Sequence, residues 1–259
     1  MEQYDILRLL NSTGQLARLP RKKDARQTAL IWLSRHFKHG QIYSEKEVNA
    51  ILSANSALED YALLRRELYD CGLLDRTKNG SRYWRGGFMR GALANETVCL
   101  RDLCEGDLEP MLAIHESIRY YNDFTGEVYT PELAKAAIEG TDLPQNGHRE
   151  FAGAKMILTH NHAVAGYLMT YRGYPAPDVL WLAALFLHKN YHRKGIGSAA
   201  VRMVEEHAKR CGFAQISLGV MSLNTPGLKF WVGQGFHTIE RVCLNEKDLT
   251  CLVLSKPCL

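Results

Sequence analysis

The stretch Leu185–Ala200, LFLHKNYHRKGIGSAA, constrains this chain more than any other. It closes the uncharged apolar run Val179–Leu187, crosses a short polar loop, and passes two glycines spaced one residue apart into a helical pattern. That pattern runs over Gly197–Cys211 with Ala200, Val204 and Ala208 along one stripe, and Gly212 ends it. Ile216, Leu218 and Val220 then alternate with Gln215, Ser217 and Gly219, which is the period of a strand. Strand, helix, strand in this order implies a right-handed crossover and parallel pairing of the two strands. The loop-to-helix junction aims backbone N–H groups outward at the positive end of a helix, a ready site for phosphate oxygens. Gly195 and Gly197 lack a Cβ and so let a ligand come close to the main chain. Arg193 and Lys194 add positive charge there.

Gly195–Ala200 also satisfies GxGxxA, the dinucleotide fingerprint. That motif needs its glycines directly after the strand and an acid about 20 residues on to hold the ribose. Here His188–Lys194 intervene, and Ala214–Leu223 has neither Asp nor Glu. A nicotinamide cofactor is therefore not expected.

Composition narrows the class further. The chain has 259 residues and 46% hydrophobic content, enough for two cored domains. Its longest uncharged apolar run is the nine residues Val179–Leu187, whereas a membrane span needs about 20. The N-terminus carries Glu2 and Asp5 and lacks a signal-peptide pattern, so a cytoplasmic location is expected. Seven cysteines show no CxxC pair and no Cys/His ligand spacing, which argues for buried, reduced thiols and against a metal site. Residues 1–91 hold 16 Lys and Arg against 10 Asp and Glu, while residues 92–259 hold 16 against 18. Two parts with different partners follow from this asymmetry, with a glycine-rich linker at Arg85–Asn95.

The first part, residues 1–91, reads as three helices and a hairpin. Ala25–Phe37 has helical spacing, and Ser44–Glu47 is a capping box that opens a second helix carrying Val48, Ile51 and Leu52. A third spans Leu58–Cys71, with Tyr61, Leu64, Leu68 and Cys71 on one face and Gly72 as its stop. Lys78-Asn79-Gly80 turns a hairpin between Leu73–Arg76 and Ser81–Arg85. The pattern is winged-helix-like. Arg18–Lys22, Tyr43–Asn49 and Asp60–Leu74 also resemble a small bacterial domain without an assigned activity. Arg21, Lys22, Lys23, Arg65, Arg66 and Lys78 are candidates for DNA phosphate contact; the competing reading is a solvated face.

The second part, residues 92–259, reads as a strand (Thr97–Leu103), a helix (Asp107–Tyr121) and a second helix (Pro131–Glu139) capped by Thr130. A hairpin turning at Asn161 follows, then the strand–loop–helix–strand unit, a short helix over Asn224–Val232, and two final strands. This order, the glycine loop, and the Asn224…Phe230-Trp231-x-x-x-Gly235-Phe236 segment resemble the GNAT N-acetyltransferase superfamily over residues 96–256. The expected fold is α/β: a GNAT-like mixed, mostly antiparallel sheet flanked by helices, behind the three-helix N-terminal domain. His192-Arg193-Lys194-Gly195-Ile196-Gly197 stands where the family has Q/R-x-x-G-x-G/A, so His192 departs at the first position.

The resemblance implies acetyl-CoA as cosubstrate and a primary amine as acceptor, with a homodimer as an admitted assembly. It implies that the main chain of Leu185, Phe186 and Leu187 pairs with the pantetheine arm. An N–H near Leu185 would polarise the thioester, and Arg193–Ser198 would hold the diphosphate, Ile196 and Ser198 among them. Asn224 and Trp231 complete the implied cofactor set. At the acid–base positions the chain departs from the family: the Tyr seven residues after the Asn is Trp231, and the Glu five residues before it is Gly219. Asp123 and Glu127, in the loop between the first two helices, are the candidate bases, with His188 and Asp178 weaker choices. The alternative function is a DNA-binding regulator whose second domain senses acetyl-CoA.

Overall fold

The computed structural model describes residues 5–86, 89, 92–126, 128–244 and 249–258. It divides into two compact units, Met1–Phe88 and Met89–Leu259.

In the first unit α1 (Lys23–Ser34), α2 (Glu45–Asn55) and α3 (Tyr61–Asp70) pack around Leu30, Leu33, Val48, Leu52, Leu64 and Leu68, all fully buried. The capping box is formed: the Glu47 N–H donates to Ser44 Oγ, and the Ser44 N–H donates to the Glu47 carboxylate at 2.7 Å. Such a cap stabilises a helix by about 1 kcal/mol. α3 begins at Tyr61, three residues later than its apolar spacing predicts, because Asp60 accepts the Leu63 N–H at 2.9 Å and starts the helix there. Cys71, expected on its buried face, is exposed just past the helix end. The hairpin β2 (Leu74–Arg76) and β3 (Tyr83–Arg85) is joined by β1 (Ile42–Tyr43), giving the order β1-β3-β2. β1 is only two residues long and leaves no alternation to read.

The second unit is built on an eight-stranded sheet. Its strands are β4 (Leu93–Ala94), β5 (Val98–Asp102), β6 (Ala152–Thr159), β7 (Val164–Arg172), β8 (Val179–Leu187), β9 (Gln215–Met221), β10 (Thr238–Leu244) and β11 (Thr250–Pro257). They lie in the order β10-β11-β9-β8-β7-β6-β5-β4, and only the β8–β9 contact is parallel. β4 falls in the segment read as linker, whose residues 87, 88, 90 and 91 are outside the described set.

The helix predicted over Asp107–Tyr121 is α4 (Leu108–Ser117), which breaks at Ile118 into a 3₁₀ turn and the short α5 (Asn122–Thr125). α6 (Pro131–Glu139) follows with Thr130 as its cap. Met111, Ile114, Ala134 and Ala137 of α4 and α6 pack with Met156, Leu158 and Tyr167 of the sheet. α7 (Ile196–Cys211) contacts β5, β8 and β9, and α8 (Thr225–Gly233) precedes β10. All seven cysteines are free thiols; Cys71 and Cys104 are exposed and the other five half-buried, so none is the fully buried thiol expected. Among the described residues no helix is long and apolar enough to cross a membrane.

Candidate active site

β8 and β9 pair only over Val179–Trp181 and Gln215–Ser217, although both strands continue beyond. β8 stays hydrogen-bonded to β7 as far as Leu187, and β9 to β11 as far as Met221. The facing edges from Leu182 and from Leu218 onward therefore have no ladder partner in each other. The parting begins at a bulge: Thr170 pairs with Leu182 and Met169 with Ala184, so Ala183 is skipped. A bulge bends its strand and raises local twist, which turns β8 away from β9. Ala183 is exposed although it sits in the middle of a wide sheet. The main chain of Leu185, Phe186 and Leu187 lies along this opening.

At the far end of β8 the loop is tied down by its own residues. His192 donates from Nε2 to the Leu187 carbonyl at 2.9 Å, so the residue that departs from the family pattern anchors the loop to the strand. That bond engages one of the main-chain acceptors that the resemblance implies for pantetheine. Ser117 Oγ, at the end of α4, accepts the Lys189 N–H at 3.0 Å. Arg193 has φ +58° and Gly195 φ +77°, both left-handed. They wind the chain into α7, whose first backbone bond runs from the Ala199 N–H to the Gly195 carbonyl at 2.9 Å. No side chain caps α7, so the first-turn N–H groups of Ile196, Gly197 and Ser198 lack an intrahelical acceptor. Arg193 and Lys194 are exposed beside them.

The two glycines serve different ends. A Cβ on Gly195 would meet nothing within 4 Å, so the space over the loop is open. A Cβ on Gly197 would lie 3.2 Å from Phe230 Cζ and 3.3 Å from Leu187 Cδ1, so this glycine lets α7 pack against α8 and β8. Close ligand approach, the role read for both from sequence, fits Gly195 alone.

Asn224 caps α8, its Oδ1 accepting the Gly227 N–H at 2.9 Å. Trp231 is buried in edge-on contact with Phe230 and Phe236. Gly219 is explained by its neighbours: a Cβ there would come 3.2 Å from Cys251 Sγ and 3.7 Å from the Trp181 ring. Gly219 is itself exposed, so a longer side chain there would need the Cys251 thiol to give by a few tenths of an ångström. Asp123 is exposed in the first turn of α5, Asp178 is exposed before β8, and Glu127 lies outside the described residues. His188 accepts the Asn190 N–H at Nδ1, 3.2 Å away, and caps the 3₁₀ turn that follows. The structure thus assembles the β8 edge and the loop into one opening, and does not bring Asp123 into hydrogen-bond contact with it.

Sequence reading missed a buried polar cluster under β8. His115 Nε2 lies 2.7 Å from the Tyr167 hydroxyl, and its ring stacks on Tyr129 at 3.5 Å and contacts Phe186 at 4.5 Å. Burial pushes the His115 imidazole down to about 4, so it is neutral at pH 7. His115 lies on the helix predicted over 107–121, but its partner is 52 residues away and gives no local signal.

Among the basic residues of the first unit, Arg65 is held by Glu45 at 3.0 Å and by Asn49, whereas Arg21, Lys22, Lys23, Arg66 and Lys78 are exposed.

Comparison with known proteins agrees with this geometry. Residues 116–236 match the acetyltransferase (GNAT) family, and residues 15–85 match a family described as uncharacterized protein conserved in bacteria (DUF2087). The peptidyl-lysine N-acetyltransferase YiaC of Escherichia coli (strain K12) is 30% identical over 77 residues, a match covering 30% of this chain and about half (49%) of that relative's length. A probable GNAT-family acetyltransferase from Chromobacterium violaceum superposes with TM-score 0.56 at 13% identity, over 68% of this chain and 91% of its own. An acetyltransferase from Thermus thermophilus gives TM-score 0.50 at 19% identity, over 62% and 97%. At such identities these two structures speak to the fold. The matched residues 116–236 identify an acetyltransferase (GNAT) domain in this chain, preceded by a DUF2087 domain at residues 15–85.

Proposed function

We propose that this protein is an acetyl-CoA-dependent N-acetyltransferase acting on a primary amine. The observation that carries the reading is the glycine turn at the mouth of the β8–β9 opening, with unpartnered amides at Ile196, Gly197 and Ser198 and open space over Gly195. That cradle fits a diphosphate: amide donors at a helix N-terminus favour an anion, and no side chain fills the place. Arg193 and Lys194 supply attraction that salt screens. The edge of β8 at Leu185–Leu187, apart from the Leu187 carbonyl that His192 holds, suits an extended amide-bearing arm. The cosubstrate supplies the activated acetyl group. The amine nitrogen forms the new C–N bond, the thioester C–S bond breaks, and the proton lost by nitrogen ends on the departing thiolate or on water. Main-chain N–H groups beside Ala183 and Leu185 are suited to hold the carbonyl oxygen as it gains charge. With Trp231 buried and Gly219 lacking a side chain, water carries protons at the two family positions.

The test is calorimetric titration with acetyl-CoA and with NADH, followed by a screen of amines for acetyl-CoA-dependent thiol release. Binding of acetyl-CoA alone and release with at least one amine are expected. Absence of acetyl-CoA binding would end both the enzyme reading and the sensor alternative. Tight binding with no release across the screen would favour the sensor.

A further inference from the structure

A cavity of about 540 Å³ lies between the C-terminal end of α6, the loop that follows it, and the first half of β8. One of its walls is Ala183, the bulged residue at which β8 leaves β9. Neither Asp123 nor any other described residue of α5 lines it. The wall at Trp181 and Tyr174 is aromatic, the two rings meeting edge to face at 5.4 Å. Tyr171 pins the loop to this wall by accepting the His148 N–H at 2.7 Å.

The charges around the cavity are uneven. Asp102 lines it but is paired with the buried Lys155 at 2.7 Å. Glu139 and Asp142 also line it, and neither makes an ion pair among the described residues. Arg149 is the one cation among the lining residues, so the unpaired carboxylates outnumber it by one. Carboxylates beside aromatic faces favour an organic cation, since both draw an ammonium group.

We propose that this cavity is the acceptor pocket and that it selects a primary alkylamine carrying a second positive charge, held by Glu139 and Asp142 against Trp181 and Tyr174. The proposal rests on the acetyltransferase reading for what happens to the amine; the recognition itself does not depend on turnover. A free diamine and a lysyl side chain next to another basic residue share this chemistry.

The experiment uses the full chain with acetyl-CoA and three acceptors: 1,5-diaminopentane, a Lys-Lys peptide blocked at both ends, and glutamate. Asp142→Asn and Glu139→Gln are compared with the unaltered protein. The expected result is turnover of one or both cationic amines, with KM raised about tenfold or more in each variant, kcat within about threefold, and the Kd for acetyl-CoA unchanged. Whichever of the diamine or the peptide has the higher kcat/KM identifies the source. Preference for glutamate, or cationic turnover unaltered by both substitutions, overturns the proposal. Should no amine be acetylated, direct titration decides it independently: diamine binding weakened in Asp142→Asn supports the cation pocket, and equal or absent binding in both proteins refutes it.

Discussion

Exchanging each loop glycine for alanine separates ligand binding from packing. Gly195 sits at φ +77°, where an L-residue costs about 1–2 kcal/mol. In a unit of this size that lowers Tm by roughly 2–8 °C. Its new methyl meets no protein atom within 4 Å, so any further effect must come from what occupies the open space. If that is the diphosphate, pushing it off one amide forfeits a charge-assisted hydrogen bond, about 1.5–3 kcal/mol, or roughly a 10- to 150-fold rise in Kd. In Gly197→Ala the methyl meets Phe230 and Leu187 at 3.2–3.3 Å, tighter than ordinary contact. Overpacking costs about 1–3 kcal/mol, partly offset by the roughly 1 kcal/mol by which alanine favours a helix over glycine. Its Kd for acetyl-CoA is expected to stay within about threefold of the unaltered protein. Calorimetric titration and thermal unfolding of the two variants read both quantities. Unaltered affinity in Gly195→Ala, or a large loss confined to Gly197→Ala, would refute the division of roles.

Two further outcomes follow from the ionisable groups. Burial opposes ionisation of Asp107, but two Arg101 hydrogen bonds at 2.6 and 2.7 Å and the Cys104 N–H outweigh it and hold the carboxyl below its usual range. That stability is present above about pH 4 and lost on acidification. Asp107→Asn should cost about 2–3 kcal/mol at pH 7 in urea unfolding, less than for a fully buried pair because Arg101 keeps contact with water, and the gap should close below pH 4. A gap constant with pH would contradict this. His115 titrates near 4 when folded and near 6.5 unfolded, so between those values the unfolded chain binds the extra proton. Its contribution is whole above about pH 6.5 and falls by about 3 kcal/mol as pH drops toward 4. His115→Phe should flatten the pH dependence of Tm in that window, leaving the parts due to His207, which burial likewise lowers to about 4, and to His36, which burial also lowers. An NMR titration of His115 centred near 6.5 would rule out its neutral, stacked state.

Much of this molecule was legible from residue order because its signals are local. The capping box at Ser44, Pro131 behind Thr130, the left-handed stop at Gly212 and the alternation of Ile216, Leu218 and Val220 each act within a few residues, and the observed elements follow them closely. The parallel pairing of β8 with β9 was legible for the same reason, since handedness leaves one way to close strand, helix and strand. What the chain could not declare is set by residues far apart in it. The skipped Ala183 depends on register against β7, and register is a property of two strands at once. The bond from His115 to Tyr167 spans 52 residues, and the atoms a side chain at Gly219 would meet first belong to Cys251 and Trp181. Gly195 and Gly197 look alike in sequence; one faces open space and the other a ring of α8, because only the packed helix decides where each missing Cβ would point.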